Sequence, residues 1–339
     1  MSREQRTVRS ERRQAQRPLA CAAARIVALL ALHVALALAP APCARADGGQ
    51  HVLVLHSYHP GYEWTDGIQK GLGEAFTTRA PGAVLHVEYL DAKRQPPETS
   101  FPILFELFRL KYARLRPAVV VSTDDAALNF LLAHREQLFP GAPVVACGAG
   151  ELTEARTGGQ RGYTGLAEYT DIPGTIEAAR RLMPNLRTVA AVADATETGN
   201  WHMELFRKAM QAYRGRLEAR EIHGLTFAGT AGALSTLTSD TAVLYLGLLR
   251  DPEGKVFTVA ESMALLRRST PQPVFVVWDF LVGQGAVGGM VVSGERQGRG
   301  LAEMALRVLA GERPDDIPFQ RLAPSAGLSR RLVSEPLKA

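Results

Sequence analysis

Cysteine is scarce in this sequence of 339 residues. Only three cysteines occur, and two of them, Cys21 and Cys43, fall within the first 46 residues. Downstream of residue 46 Cys147 stands alone, so no internal disulfide bond can form there. A chain of this length without disulfide bonds must be held by a hydrophobic core, and the 293 residues from 47 to 339 suffice for two domains of ordinary size. We interpret Cys147 as a small core residue.

The sequence also lacks the motifs of several common enzyme classes and metal sites. It contains no G-x-S-x-G, P-loop or H-E-x-x-H motif. His56 and His59 have H-x-x-H spacing, but no other histidine or cysteine cluster supports a metal site. Residues 283–288 (GQGAVG) match the dinucleotide pattern G-x-G-x-x-G, which must open a helix, whereas the following GMVVS is typical of a strand. We therefore predict no catalytic residues, no metal and no cofactor.

Long hydrophobic runs are absent except for one near the N-terminus, at residues 26–39 (IVALLALHVALALA). Six arginines precede it within residues 1–18, and an A-x-A pattern that ends at Ala46 follows it. This order is typical of a secretory signal peptide, so we predict cleavage after Ala46 and a periplasmic location. A retained membrane anchor is the alternative, although a spanning helix needs about 20 apolar residues and His33 interrupts this shorter run.

Excess positive charge is confined to the predicted signal peptide. The whole chain has a net charge of +5, but eight of its 39 basic and two of its 34 acidic residues lie within residues 1–46. The remaining 31 basic and 32 acidic residues give a net charge of −1. Binding to nucleic acid phosphates needs a surplus of Lys and Arg, so we expect no nucleic-acid partner.

After residue 46, short β-branched segments alternate with helix-like segments. Strands are predicted at 51–56, 84–89, 118–122, 143–147, 188–193, 217–222, 243–246, 273–277 and 290–293. Helices are predicted at 65–79, 101–115, 125–137, 172–183, 201–213, 256–268 and 299–310. This rhythm predicts an α/β fold with two parallel sheets, each covered by helices.

The alternation restarts near residues 162–170, where we predict the join between two lobes. The predicted divisions are a signal peptide at 1–46, lobe one at 47–168, lobe two at 169–280 and a closing segment at 281–339, which crosses the hinge and contains the last helix. Asp171 is a plausible N-cap for the first helix of lobe two, with Pro173 in its first turn.

The candidate site follows from a general property of open parallel sheets, which bind ligands beyond the carboxyl ends of their strands. The segments that follow the predicted strands combine polar, small and aromatic residues, as small-molecule pockets do. They are 57–64, 122–125, 147–150, 194–199, 247–251 and 278–280. In the first of them, Tyr58, Tyr62 and Trp64 accompany a proline and a glycine, which favours a shaped pocket wall over core packing.

Some of these residues have simpler interpretations. Asp125, Thr198 and Thr65 could act as helix caps instead of contacting a ligand. Asp279 interrupts an apolar run where a strand should end, and a buried carboxylate needs a partner there. Both alternatives stay open for that partner: an internal cation, or an amine of the ligand.

Three segments resemble a known family. Residues 52–76 (VLVLHSYHPGYEWTDGIQKGLGEAF) are similar to the opening of substrate-binding proteins of one ABC-transporter family, and to related extracellular sensor domains of bacterial histidine kinases and diguanylate cyclases. Residues 171–199 look like that family's entry into its second lobe, and residues 285–318 look like its closing segment. The first segment is the most specific, whereas the last occurs in many binding proteins.

This resemblance implies a type I periplasmic-binding-protein fold, with two Rossmann-like lobes, a multi-strand hinge and a small-molecule ligand between the lobes. Family members bind small organic molecules, including amino acids. The ligand-binding positions that the resemblance implies are Ser57, Tyr58, Trp64, Ser122, Thr123, Asp124, Asp194, Thr196, Trp278 and Asp279.

We expect a monomeric, non-enzymatic periplasmic protein that captures a small solute and delivers it to the membrane permease of an ABC transporter. The sensor relatives continue into a membrane helix and signalling domains, and this sequence reaches Ala339 with neither, which favours a free binding protein. The alternatives are a ligand-sensing accessory of a membrane-bound histidine kinase or similar receptor, and an enzyme built on the same scaffold. The third would need a nucleophile–base pair, which the sequence does not reveal.

Overall fold

The computed structural model describes residues 50–150 and 152–329. The predicted signal peptide and its cleavage point after Ala46 lie outside these residues, as does the end of the closing segment. The described residues belong to one compact unit. Within them, no helix is both long enough and apolar enough to cross a membrane.

The first sheet contains six strands, and all of its neighbouring strands pair in parallel. Their order across the sheet is β2-β1-β3-β4-β5-β11. The strands are β1 (His51–His56), β2 (Val84–Tyr89), β3 (Val119–Thr123), β4 (Val144–Cys147), β5 (Tyr163–Ala167) and β11 (Gln320–Arg321). The central strand β3 is buried along its whole length, as expected for a parallel sheet covered on both faces.

The second sheet repeats this order with strands from the second half of the chain. Its order is β7-β6-β8-β9-β10-β12, and only β12 is antiparallel to its neighbour. The strands are β6 (Thr188–Ala193), β7 (Glu218–His223), β8 (Thr241–Tyr245), β9 (Val274–Val276), β10 (Gly288–Val291) and β12 (Ser325–Leu328). We call the two halves lobe one and lobe two after their sheets. The predicted α/β class with two parallel sheets is therefore confirmed.

Eight α-helices surround the sheets in the described part of the chain. They are α1 (Glu63–Arg79), α2 (Pro97–Lys111), α3 (Asp124–Leu138), α4 (Ile172–Leu182), α5 (Glu197–Met210), α6 (Phe227–Ser235), α7 (Val259–Ser269) and α8 (Gly294–Leu309). Asp171 caps α4 as predicted, because its carboxylate accepts a hydrogen bond from the Gly174 N–H at 2.8 Å.

The chain crosses between the lobes three times. It passes from β5 to α4, returns from β10 to α8, and crosses again between β11 and β12. Helix α8 therefore packs on the first sheet and on α1, although it follows lobe two in sequence. The two helices approach closely through glycines, because a Cβ atom on Gly71 or Gly298 would overlap backbone atoms of the other helix.

Several boundaries differ from the predicted ones, each for a local reason. The last helix was predicted at 299–310 but begins five residues earlier, where Ser293 caps it. The helix predicted at 256–268 begins at Val259, where Thr258 and Glu261 form a capping box. Residues 162–170 were predicted as a join, yet they contain the buried strand β5. Helix α6 was not predicted, since its small residues (FAGTAGALS) give no amphipathic pattern.

Candidate functional site

The two sheets direct the carboxyl ends of their strands toward one cavity between the lobes. We call it the aromatic cavity. Its lining consists of Tyr58, Tyr62, Trp64, Lys93, Asp124, Asp125, Gly148, Gly150, Glu168, Thr198, Trp201, His202 and Trp278. Most of these follow strands β1, β2, β3, β4 and β5 of lobe one, while the others belong to helix α5 or follow β9 in lobe two. The cavity thus lies where open parallel sheets bind ligands.

Aromatic rings form the walls of the cavity. Tyr58 and Tyr62 meet edge to face at 5.5 Å between ring centroids, and Tyr62 meets Phe280 of lobe two at 6.0 Å. On the lobe-two side, the Trp278 ring packs against His202 at 4.9 Å. These geometries are favourable for aromatic pairs and orient several ring faces and edges around one space.

Asp124 is the most constrained acidic group of the cavity. It is the first residue of α3 and has φ +65°, a backbone conformation that few residues other than glycine adopt. Trp64 Nε1 donates a hydrogen bond to Asp124 Oδ1 at 2.8 Å, while Oδ2 is buried and has no hydrogen-bond partner in the described part of the chain. Burial raises the pKa of Asp124 to about 7, opposed by the Trp64 hydrogen bond.

Gly148 leaves room for this carboxylate. It follows β4, and a Cβ atom there would lie 2.6 Å from Asp124 Oδ1. Gly150 is similarly required, because a Cβ atom would overlap the Trp201 indole. The strand-end segment 147–150 therefore contributes space to the cavity, not functional groups.

Glu168 supplies a second carboxylate to the cavity. It follows β5, at the first crossing between the lobes, and Trp278 Nε1 of lobe two donates a hydrogen bond to its Oε1 at 2.9 Å. Burial, with the nearby Asp124 carboxylate as the next cause, raises the pKa of Glu168 to about 8. Glu168 and Asp124 thus line the same cavity, where the charge of Asp124 disfavours ionisation of Glu168.

Lys93 is the one lysine of the cavity lining and is only 6% exposed. Its Nζ lies 4.7 Å from the centroid of the Tyr58 ring, a cation–π contact. Among the residues described, no carboxylate oxygen lies within 4 Å of this Nζ. Burial lowers the pKa of Lys93, with the carboxylates of Asp194 and Asp124 opposing that effect from a greater distance.

His202 presents an unused acceptor. Its Nδ1 lies 2.8 Å from the carbonyl oxygen of Thr198. Because a carbonyl only accepts, we assign the ring hydrogen to Nδ1. Burial lowers the pKa of His202 to about 4, so the ring is neutral at pH 7 and its Nε2 is an acceptor, buried without a partner.

The lobes are in contact across the cavity. Tyr58 Oη and Thr198 Oγ1 are 3.1 Å apart, and Asn129 Nδ2 donates to Glu197 Oε1 at 3.1 Å. The free space in the aromatic cavity is about 20 Å³, enough for about one water molecule. This arrangement is therefore closed, and an organic molecule could enter only if the lobes or side chains moved apart.

Four of the ten predicted ligand-binding residues line the aromatic cavity: Tyr58, Trp64, Asp124 and Trp278. Ser57, Ser122 and Thr123 lie just behind it and are buried. The Ser57 hydroxyl donates to the Thr123 carbonyl at 2.6 Å and accepts from the Ala127 N–H at 2.7 Å, so it ties β3 and α3 to β1. The Ser122 hydroxyl is buried without a partner.

Three predicted residues of lobe two lie outside the lining. Asp194 accepts hydrogen bonds from Thr196 N and Oγ1 on one oxygen and from the Leu249 and Arg250 N–H groups on the other. Thr196 caps helix α5 by accepting from the Gly199 N–H. Asp279 is half-buried at the start of a short 3₁₀ turn. Asp194 and Asp279 thus lie outside the lining of the aromatic cavity, whereas Asp124 and Glu168 belong to it.

Sequence reasoning missed four lining residues: Lys93, Glu168, Trp201 and His202. Lys93 was within reach, because it follows the predicted strand 84–89 and the strand-end principle applies to that strand too. The same principle could not identify Glu168, because this residue follows β5, a strand that was not predicted from the sequence. Trp201 and His202 lie inside a helix whose start was predicted at residue 201.

The side chains that line the cavity are of kinds that bind small molecules. No serine or cysteine lines it, and the described part of the chain contains no cluster of three metal-ligating side chains. It offers aromatic faces, the three carboxyl groups of Asp124, Asp125 and Glu168, a neutral histidine acceptor and one ammonium group.

Comparison with known proteins supports this description. A family model described as ABC transporter substrate binding protein matches residues 52–327. No curated protein matches the sequence. Many solved structures are similar to the chain, and the three described next match it over most of its length, at sequence identities that show the fold alone.

A conserved domain protein from Vibrio cholerae is 15% identical, with a TM-score of 0.65 over 84% of this chain and 93% of that chain. An ABC domain from Streptococcus pneumoniae, in complex with L-Trp, is 17% identical, with a TM-score of 0.60 over 82% and 90%. An ABC transporter solute-binding protein from Bacillus halodurans, with bound myo-inositol, is 12% identical, with a TM-score of 0.53 over 84% and 96%.

Proposed function

Since the chain belongs to the ABC transporter substrate-binding protein family and binds a small ligand, we propose that it captures an organic solute between its lobes in the periplasm and delivers it to an ABC-type permease. The observation that carries this proposal is the aromatic cavity, whose walls come from both lobes and which their contact closes. A ligand held there is shielded from water and fixes the relative position of the lobes, which gives a permease a shape to recognise.

The chemistry of the cavity favours a ligand with a protonated amine beside a flat or apolar group. Asp124 Oδ2 lacks a hydrogen-bond donor, and Glu168 lies nearby with a raised pKa. An ammonium group would donate to these oxygens and stabilise their ionised forms, while the rings of Tyr58, Trp64 and Trp278 would pack on the apolar part. The L-Trp bound to the Streptococcus relative has both features, an ammonium and a flat ring.

Entry of the ligand requires opening. We place the hinge in the three crossings, after β5, after β10 and between β11 and β12, because the chain passes between the lobes there. The predicted divisions at 168, 280 and 281 refine accordingly: lobe one would also include α8 and β11, which pack or pair with the first sheet. The closing segment would then contribute α8 and β11 to lobe one, and β10 and β12 to lobe two.

We propose binding without turnover. In the aromatic cavity the only aliphatic hydroxyl is that of Thr198, and Tyr58 is its hydrogen-bond partner. Burial keeps the pKa of Tyr58 well above its usual value, so this phenol is no general base at neutral pH.

The experiment is a solute screen on the purified protein, with the melting temperature as the readout. We expect amino acids and other amines with aromatic or aliphatic groups to raise the melting temperature, and sugars without an amine to have no effect. D124N should lower the affinity for a hit by at least about tenfold, because it removes the charge partner of the ammonium. W64A should also weaken binding.

D279N is the matched comparison, since Asp279 was predicted to bind a cation but lies outside the cavity lining. We expect D279N to bind like the wild type. Equal losses in D124N and D279N would contradict the assignment of the amine to Asp124. Failure of every solute, together with no small molecule released from the denatured protein, would contradict the transport function.

A further inference from the structure

A second cavity lies between the lobes, and no group of the proposed solute site accounts for it. We call it the basic cavity. Its volume is about 330 Å³, within the size range of small-molecule sites, whereas the aromatic cavity has room for about one water molecule. Arg94 and Pro96, which follow β2, form its lobe-one side. Arg250 and Thr196 form its lobe-two side together with Asp251.

Arg250 has a guanidinium nitrogen with no hydrogen-bond partner among residues 50–150 and 152–329. Its backbone is fixed, because its N–H donates to Asp194 Oδ2 at 3.3 Å and it forms an isolated bridge with Val256. Its Nη1, however, is buried, and no described residue supplies a hydrogen-bond acceptor to it. A buried cationic donor without an acceptor is costly, so this nitrogen indicates a missing anionic partner.

Arg94 faces the same cavity from the other lobe. Its Nε donates to Asp91 Oδ1 at 2.6 Å, which fixes the guanidinium while its side chain stays 48% exposed. Asp91 has φ +57°, a conformation that turns the chain sharply before Lys93 and Arg94. Lys93, the next residue back, points into the aromatic cavity, so the two cavities adjoin through this loop.

The acidic groups around the basic cavity already have partners. Asp251 accepts hydrogen bonds from the Glu253, Lys255 and Phe227 N–H groups, at 3.1, 2.9 and 3.4 Å. Asp194 accepts from four donors on its own lobe. Asp91 holds Arg94, and His59 Nδ1 lies 3.5 Å from the same oxygen. Asp194 accepts from the backbone N–H of Arg250, but among the described residues none of these carboxylates forms a salt bridge with the Arg250 guanidinium.

We infer that the basic cavity binds an oxyanion, a carboxylate or phosphate group, that bridges Arg94 of lobe one and Arg250 of lobe two. The guanidinium fork matches the paired oxygens of such groups. A bridging anion also removes the repulsion between two cations that closure brings to one cavity. Lobe closure is part of the proposed function. Anion binding at Arg94 and Arg250 does not depend on whether the protein transports an organic solute.

The oxyanion has two possible sources, a separate small anion or an acidic group of the solute that occupies the aromatic cavity. The test distinguishes them with two sets of probes. The first set is inorganic phosphate and acetate, titrated at constant ionic strength against sodium chloride. The second set consists of amines and their carboxylate-bearing counterparts: tyramine with tyrosine, tryptamine with tryptophan, and histamine with histidine. Calorimetry and melting temperature are measured for the wild type, R94Q and R250Q.

The matched control is R180Q, because Arg180 is also a lobe-two arginine but pairs on the surface with Glu177. A separate anion predicts saturable binding of phosphate or acetate to the wild type, weakened at least tenfold in R94Q and R250Q and unchanged in R180Q. An acidic group of the solute predicts that the carboxylate-bearing probe binds at least tenfold more tightly than its amine, and that R250Q removes this preference.

Either dependence on Arg94 and Arg250 supports the basic cavity as an oxyanion site. If both variants, folded as judged by their melting curves, respond to every probe like the wild type, the inference is overturned. Phosphate binding that depends on these arginines, in a protein that binds no organic solute, would retain the anion site while contradicting the proposed solute transport.

Discussion

Asp124 combines an uncommon backbone conformation with an environment that disfavours its charge. Its φ of +65° is one that Asp and Asn adopt more readily than most residues, at a cost of about 1–3 kcal/mol. Its side chain is 3% exposed and has one free oxygen. Costs of this kind concentrate at binding sites, where they fix the orientation of a group before the ligand arrives.

The raised pKa of Asp124 predicts a pH dependence of stability. The pKa of the unfolded carboxyl is near 3.8, the ordinary value for an aspartate, while the folded carboxyl keeps its proton until about pH 7. The free energy of unfolding therefore falls as pH rises through this interval, because the folded state must then hold a buried charge. We expect the ligand-free wild type to lose about 2–4 kcal/mol between pH 4 and 8, measured by urea denaturation.

D124N should show a smaller loss over the same interval, since Asn tolerates the positive φ and does not ionise. Part of the loss will persist, because the pKa of Glu168 is also raised, to about 8. E106Q is a suitable control, as Glu106 pairs with Arg109 on the exposed face of α2. Parallel pH curves for the wild type and D124N would contradict the buried ionisation of Asp124.

The strand-end principle selected the segments that contain Tyr58, Trp64, Asp124 and Trp278, and the family resemblance singled out these residues. The structure places all four in the cavity lining. The strand-end principle could not distinguish Asp124 from Asp194, because each follows directly after a strand, Asp124 after β3 and Asp194 after β6. The difference is one of hydrogen bonding: four donors occupy Asp194, whereas one oxygen of Asp124 is free. Such pairing depends on loops distant in sequence, so only the folded chain reveals it.

At the scale of elements, the contact between α1 and α8 joins segments of lobe one that are far apart in sequence, because α8 follows lobe two in the chain. The helices meet through Gly71 on α1 and Gly294 and Gly298 on α8, where the backbones approach each other. Close packing of helices through small residues leaves no space for added methyl groups. This contact positions Trp64, which lies in the first turn of α1, and the preceding loop with Tyr58 and Tyr62.

G71A should therefore destabilise the protein by about 1–3 kcal/mol, since its Cβ would overlap Glu295 backbone atoms and push the helices apart. G73A is the matched control on the same helix, because a Cβ at Gly73 meets no atom within 4 Å. Alanine has the higher helix propensity, so G73A should stabilise by about 0.5–1 kcal/mol. Equal effects of the two variants on chemical unfolding would argue against the close contact.

The sequence predicted elements well where a periodic apolar pattern was strong and poorly where tertiary contacts decide. Strands β1, β2 and β6 occur at their predicted positions, because their β-branched runs are bounded by turns. Strand β5 contains Gly165, at which even a Cβ atom would overlap the backbone of β4. A glycine needed for strand packing resembles a turn signal in sequence, which explains why no strand was predicted within residues 162–170.

At the scale of the whole molecule, closure rests on few polar contacts outside the aromatic cavity. The side-chain bond between Asn129 of α3 and Glu197 of α5 is one of them, and neither residue lines the cavity. A hydrogen bond of this kind contributes about 0.5–1.5 kcal/mol net. Because a ligand-binding protein of two lobes divides its population between open and closed forms, a contact made only on closure also affects apparent ligand affinity.

E197A should therefore weaken solute binding by about two- to tenfold without a direct ligand contact, because it raises the free energy of the closed form. It should also increase the radius of gyration of the solute-bound protein at subsaturating solute, measured by small-angle scattering. E204A is the control, since Glu204 lies on the same helix but pairs with Arg207 within lobe two. If E197A and E204A bind the solute equally and scatter alike, this contact does not govern closure, and the cavity side chains alone would hold the lobes together.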